Sequence, residues 1–423
     1  MGQAGFSPSV AMRDRTYAAV AVTFFLLALG MAAGKAILLG QRFDLVVSDG
    51  RFYYAYLPSV VIDGDLDLTN QISEHWGTDF RPELLENRTE TGLVWNMYPI
   101  GLALTLLPGF LLGHVLALGS GGLIPADGYS WPYQLACLGI IELLVWRTIV
   151  RTDRLLTERL GVPVGPTVLG LVVLAVGTPY AYYACREPFM VHAVSAFWCM
   201  EVVAVSAAGH RGPGWFWPRL AFCGTMAVVC RPTNVHLVPV AAFGVVQAVL
   251  AAGLWRTITC LPLAGIAIVP IGFQLVTWRL LFGNWVHYSY GDLGFNWAHP
   301  ALAATLFSSR HGLFFWSPVL LFAVAGLLLR ARDPLVRCWS FAGILLWYAN
   351  SAWQVWWFGD AFGARAFLEL SGLFGIGLAL AFSRFWDKPR LVGAFTVLVV
   401  AFNIFFMALY VTHRVPRDGY LLP

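Results

Sequence analysis

Charge is scarce in this sequence of 423 residues, and lysine is scarcer still. Asp, Glu, Lys and Arg together make up 12%, and only two of the basic residues are lysines, Lys35 and Lys388, against 25 arginines. An average soluble domain carries about a quarter charged residues. A soluble fold this poor in charge would leave large apolar patches on its surface. With 58% hydrophobic residues the chain is not disordered, and a net charge of +4 gives it no basic face for nucleic acid. The seven cysteines form no CxxC pair and lie mostly inside apolar runs, so they imply neither a disulfide framework nor a zinc site. A P-loop, a G-x-S-x-G elbow, an HExxH helix and a dinucleotide fingerprint are all missing. These absences leave an integral membrane protein.

What is present is a series of apolar runs long enough to span about 30 Å of hydrocarbon. The first, Tyr17–Leu39, has 23 residues, which is too long for a typical signal-peptide core and reads as a retained helix. Ten more follow at 133–151, 163–183, 188–208, 215–231, 233–253, 257–281, 312–330, 336–352, 364–383 and 391–412. The expected architecture is therefore all-α and polytopic, one transmembrane domain over 1–423 with about eleven spans and juxtamembrane helices. The run 97–118 carries Pro99, Gly101, Pro108, Gly109 and His114. If it only dips into one leaflet or lies along it, fifteen of the 27 basic residues fall in short loops on one side, as the positive-inside rule prefers. Residues 41–94, which hold ten of the 23 acidic residues, then form the first outer loop.

The outer face collects the residues that could carry chemistry. Asp49 stands about ten residues after the first helix, followed by Arg51, Phe52, Tyr53, Tyr54 and Tyr56, an aromatic set suited to an interfacial helix. Two readings of Asp49 are level: an acid held at the membrane surface to meet a lipid-borne substrate, or the N-cap of a helix starting at Gly50. Glu187, flanked by Arg186 and Pro188, lies at a turn between spans, with His192 further into the next span. Ionisable groups at membrane depth mark sites by default, although helix-dipole pairing or a satisfied core histidine would also account for them. Arg51, Arg186, Arg231, Arg310 and Arg365 break the positive-inside trend; each offers a planar fork that suits phosphate, or snorkels to headgroups. Trp353, Trp356, Trp357, Asp360 and Arg365 lie together at a span boundary, as a sugar-binding set or an aromatic belt. Asp63, Asp65 and Asp67 form a D-x-D-x-D run whose oxygens could ligate a divalent cation, though a solvated turn is the simpler reading. No other cofactor is indicated.

On these residues the chain resembles the GT-C superfamily of integral membrane glycosyltransferases, among them bacterial relatives of protein O-mannosyltransferases and lipid A aminoarabinose transferases. Ser48-Asp49-Gly50-Arg51-Phe52-Tyr53 is similar to the superfamily's Asp-Glu-x-x-Tyr motif with Gly50 replacing the second acid, and Arg186-Glu187-Pro188 is similar to its second acidic position. Tyr98-Pro99 and the following helix resemble its juxtamembrane helix. Ser309-Arg310-His311-Gly312 and Gly359-Asp360-Ala361-Phe362-Gly363-Ala364-Arg365 resemble segments of uncharacterised bacterial membrane proteins of this group. The resemblance implies a GT-C-like fold and an inverting transfer from a polyprenyl-phosphate-linked sugar at the outer, periplasmic face of a bacterial inner membrane. Asp49 would be the acid nearest the chemistry and Glu187 its companion. Arg51, Arg231 and Arg310 would hold the donor phosphate, with Tyr53, Arg186, His192, His311, Trp357, Asp360 and Arg365 as further contacts. Membrane lipid is an expected partner, and the acceptor is open between glycan, lipid and protein. A secondary transporter or lipid flippase for an anionic substrate is the alternative; charges gathered at one face, with no internal repeat, weigh against it.

Overall fold

A computed structural model describes residues 10–40, 42–76 and 81–419; residues 77–80 of the acidic window lie outside it. The described chain is all-helical, with two isolated β-bridges, and it is an integral membrane protein. α1 (Val10–Leu39) leads into a loop bearing three short helices, α2 (Gly50–Pro58), α3 (Thr69–His75) and α4 (Glu83–Glu86). Then come α5 (Gly101–Gly119), α6 (Trp131–Arg154), α7 (Val164–Val176), α8 (Tyr180–Cys185), α9 (Val191–Ala207) and α10 (Pro213–Cys230). The second half holds α11 (Val238–Ala252), α12 (Leu254–Thr259) and α13 (Ile268–Phe282), followed by two short loop helices, α14 (Leu302–Phe307) and α15 (Leu313–Trp316). It closes with α16 (Val319–Leu328), α17 (Pro334–Ala352), α18 (Ser371–Arg384), which a 3₁₀ turn Arg365–Leu370 precedes, and α19 (Pro389–Val411).

Among the described residues seven helical segments are long and apolar enough to cross a membrane. Six coincide with expected spans, and the seventh is α5, the run expected to dip. Three more expected spans are shorter apolar helices, α7, α9 and α16. Sequence explains the shortening of two: Gly177-Thr178-Pro179 interrupts the run 163–183 after α7, and Ser317-Pro318 starts α16 seven residues late. α10 and α17 complete the bundle.

The two ends of the bundle differ in kind. At one end Arg13 Nη1 meets Asp153 Oδ2 at 2.7 Å, Arg151 Nε meets Glu201 Oε1 at 2.7 Å, and Arg330 donates to the Leu160 carbonyl. These link the start of α1, the ends of α6 and α9 and the turn after α16, so arginines predicted to share one side do share one end. At the other end α5 packs across helix termini. Gly101 abuts Val229 and Cys230 at the end of α10, while Gly113 abuts Pro132 and Tyr133 at the start of α6. His114 Nδ1 lies 2.6 Å from the Tyr133 hydroxyl, and the Tyr54 hydroxyl of α2 donates to the Gly128 carbonyl beyond α5. Both halves of α5 thus contact the same end of the bundle. α18 is deeply enclosed, seated between α7 and α16 where Gly326 meets the Gly377 carbonyl and Gly170 meets the Ala379 backbone. Small residues at these crossings let the backbones approach closely.

Candidate functional site

Asp49 occupies the N-cap position of α2, yet its side chain caps nothing. Its Oδ2 instead accepts from Arg365 Nη2 at 3.1 Å, across 316 residues of sequence, and Arg365 also donates to the Phe358 carbonyl at 2.8 Å. The cap reading of Asp49 therefore gives way to a tertiary charge contact. The backbone around the pair is bent: Ser48 (φ +56°) and Phe358 (φ +58°) both lie in the left-handed region, which is unfavourable for side chains of their kind. Such conformations cost about 1–3 kcal/mol each and cluster at functional sites.

Asp49 and Arg365 open onto a cavity of about 430 Å³ at the α2 end of the bundle. Its charged and polar lining includes Asp49, His192, Arg231, Thr233, His287, Ser289, Asn350 and Arg365. Arg231, at the end of α10, places Nη1 2.8 Å from Glu369 Oε1, and His192 Nδ1 stands 3.5 Å from the same oxygen. Glu369 is 1% exposed, and neither of its oxygens has an aligned hydrogen-bond donor among the described residues, so a charge contact holds this cluster. Asn350 Nδ2 donates to the Ala366 carbonyl and fixes the turn that carries both Arg365 and Glu369. Aromatic walls face these charges: Tyr53 and Tyr98, whose ring centroids lie 4.6 Å apart, with Tyr290 and Trp353 at 5.4 Å on the other side. Burial pushes the hydroxyls of Tyr53, Tyr98 and Tyr290 above their ordinary pKa, so they stay protonated hydrogen-bonding groups.

Of the residues expected at the site, Asp49, Tyr53, His192, Arg231 and Arg365 converge on this cavity. Glu187 stands behind it, on the turn before α9. It accepts from the Tyr182 hydroxyl at 2.9 Å, and burial raises its pKa, opposed by Arg365 and Arg186. Gly50 packs on this turn; a Cβ there would meet the Phe189 carbonyl at 3.0 Å. The segments that carry Asp49 and Glu187 thus touch through backbone, and a side chain at position 50 would push them apart by a few tenths of an ångström.

The other candidates lie elsewhere. Arg51 is buried and bonded to Asp44 Oδ2 at 2.7 Å, so it ties the first loop together and does not line the cavity. Arg310 stacks its guanidinium 3.7 Å from the Trp357 ring centre. His311, in a left-handed conformation (φ +61°), pairs Nδ1 with the Trp357 carbonyl at 2.8 Å, and burial lowers its pKa to about 4. This trio backs the segment leading to Phe358 and Gly359. Arg186 is half-buried, Asp360 is exposed, and neither lines the cavity. Asp63, Asp65 and Asp67 accept hydrogen bonds from Asn70, Ser59 and Thr69 respectively, within their own turn. Among the described residues no group of three or more His, Cys, Asp or Glu is placed to hold a metal.

Sequence reasoning missed Glu369, although an acid inside the expected span 364–383, four residues after Arg365, is the kind of buried ionisable group that marks a site. It also missed Tyr290 and Asn350, for which neutral residue type gives no local signal.

No protein-family model and no curated protein matches this sequence. Among solved structures it is similar to the Archaeoglobus fulgidus oligosaccharyltransferase in its apo form, with a TM-score of 0.46 and 13% identity, and to the archaeal oligosaccharyltransferase AglB of that organism in complex with an inhibitory peptide and a dolichol-phosphate, with a TM-score of 0.46 and 12% identity. Each alignment covers 96% of this chain and 55% of the other, so the chain spans about half the length of these proteins.

Proposed function

We propose that this protein is a GT-C-like membrane glycosyltransferase that moves a sugar from a polyprenyl-phosphate donor to an acceptor, with inversion, at the outer face of a bacterial inner membrane. The observation that carries this is the pairing of Asp49 with Arg365 at the rim of a cavity whose floor holds a second arginine and whose walls are aromatic. An anionic headgroup, a sugar ring and the start of an apolar chain each find matching chemistry there.

In this reaction the donor phosphate lies against Arg231 and Arg365, fixed cations that stabilise charge as it grows on the departing phosphate. The acceptor oxygen attacks the anomeric carbon, the bond from that carbon to the phosphate oxygen breaks, and the electron pair leaves with the phosphate. Asp49 takes the acceptor proton, for which it must lie within hydrogen-bond reach of the attacking oxygen. Glu369 positions Arg231, and Glu187 supports the turn beneath Asp49. With α5 lying along the outer leaflet, a lipid donor reaches the cavity from the side. Arg310, His311 and Trp357 brace the segment that presents Phe358 and Arg365.

Incubation of the purified protein with a panel of labelled polyprenyl-phosphate sugars tests this. Release of free polyprenyl phosphate from one donor is the expected result, and no release from any donor, with every acceptor class supplied, contradicts it.

A further inference from the structure

Beside the charged cavity lies a second one of about 360 Å³, in the size range of small-molecule sites (roughly 300–1,000 Å³). The two share a wall, Met97, Tyr98 and Tyr290. The second is completed by Phe52 of α2, Leu84 of α4, Asn87, Trp95 and Gly291, so loop residues build it and no residue of a membrane-crossing helix lines it. Among the described residues none of those lining it is charged. We infer that this second cavity binds the acceptor, and that the acceptor is a neutral carbohydrate; the inference rests on the transferase reading and adds to it the class of the second substrate.

Three features point to a sugar. Four of the eight lining residues are aromatic, and the C–H face of a sugar ring packs on an aromatic face. Trp95 is set for that role. Its indole N–H is already taken by the Ser289 carbonyl at 3.1 Å, and its ring is wedged against Phe282 with centroids 5.2 Å apart, so it offers a fixed flat surface. Asn87 is exposed at the mouth and supplies a neutral amide for hydroxyl groups. The absence of any cation in the lining separates this cavity from its neighbour: it has nothing to hold a phosphate. Its place in the loops, outside the bundle, suits a water-borne chain better than a lipid tail. Tyr98 and Tyr290 line both cavities, so a sugar chain seated here adjoins the cavity that Asp49 lines, and transfer uses a hydroxyl of its terminal residue that extends past the shared wall to Asp49. That hydroxyl gives its proton to Asp49 and its oxygen to the anomeric carbon, while the phosphate departs from the donor.

Binding and transfer are to be measured separately on the full-length protein. Binding uses Asp49→Asn protein and labelled neutral trisaccharides of gluco, manno, galacto and arabino configuration. At least one is expected to bind, with affinity falling about tenfold or more in Trp95→Ala and Asn87→Ala and largely kept in Trp95→Phe. Folding of each variant is checked by its melting temperature. Transfer uses wild-type protein, a consumed polyprenyl-phosphate donor, and the same sugars against a Ser/Thr peptide and a lipid amine. Glycosylation of a trisaccharide, with acceptor KM raised and donor KM unchanged in Asn87→Ala, supports the inference. Glycosylation of the peptide or lipid alone overturns it and leaves the transferase reading standing. Trisaccharide binding without consumption of any donor supports a carbohydrate site and overturns the transferase reading. Binding of none of the four sugars overturns the inference outright.

Discussion

The ion pairs at the cavity give their residues a defined cost of removal. Glu369 is the clearest case, because it is fully enclosed and its charge is met by Arg231 at 2.8 Å. Replacing it by alanine leaves Arg231 as an uncompensated buried cation. Breaking such a pair costs about 3–5 kcal/mol, so Glu369→Ala is expected to lower the melting temperature sharply, whereas Glu369→Gln, which keeps shape and polarity, loses less. Equal melting of the Ala and Gln variants with wild type would contradict the placement. His311 yields a pH prediction. Burial lowers its pKa from 6.5 to about 4, so the folded protein binds fewer protons there than the unfolded chain. Its contribution to stability is complete above pH about 6.5 and is lost as pH falls toward about 4. The wild-type melting temperature is expected to fall more between pH 7 and pH 5 than that of His311→Asn, a residue that tolerates the left-handed backbone. Parallel profiles for the two would contradict this.

At the scale of elements, close backbone approaches decide the geometry. α2 rests on the turn before α9 through Gly50, and a Cβ at that position would press on the Phe189 carbonyl at 3.0 Å. Gly50→Ala is expected to shift α2 by a few tenths of an ångström and to lower transfer activity more than stability, since a small misplacement of Asp49 is magnified in rate. Gly50→Glu, which puts a larger, charged side chain against the same carbonyl, is expected to abolish transfer; gain of activity in that variant would contradict the packing. α16 and α18 cross where Gly377 has the Ala323 backbone against it and Gly326 has the Gly377 carbonyl against it. A side chain has no space there, so Gly377→Val is expected to cost roughly 1–3 kcal/mol or more through overpacking, read as loss of monodisperse protein on extraction.

Over the whole molecule, composition and arginine placement made much of the architecture legible. Scarce charge with long apolar runs points to a membrane bundle, and Arg13, Arg151 and Arg330 do lie together at one end. Helix ends were less legible where Gly-Thr-Pro and Ser-Pro interrupt an apolar run that hydropathy alone reads through. In the candidate site, Asp49, Arg231 and Arg365 were visible as charges out of place at a membrane boundary. Arg51 was visible on the same grounds but belongs to Asp44, because charge at a boundary does not say which partner will meet it. Glu369 was masked by the apolar run around it, and Tyr290 and Asn350 by residue types that are ordinary in any loop or helix. Partners 316 residues apart, such as Asp49 and Arg365, are set by the fold and by no local pattern.

Asp49 is proposed above as the base of a sugar transfer at this cavity. It is tested most directly by comparing wild-type and Asp49→Asn protein, equally folded by melting temperature, for turnover of a consumed polyprenyl-phosphate sugar with acceptor present. Loss of a proton-accepting group of this kind is expected to reduce the rate roughly 10²–10⁴-fold with donor binding retained. Wild-type turnover by Asp49→Asn would contradict the account.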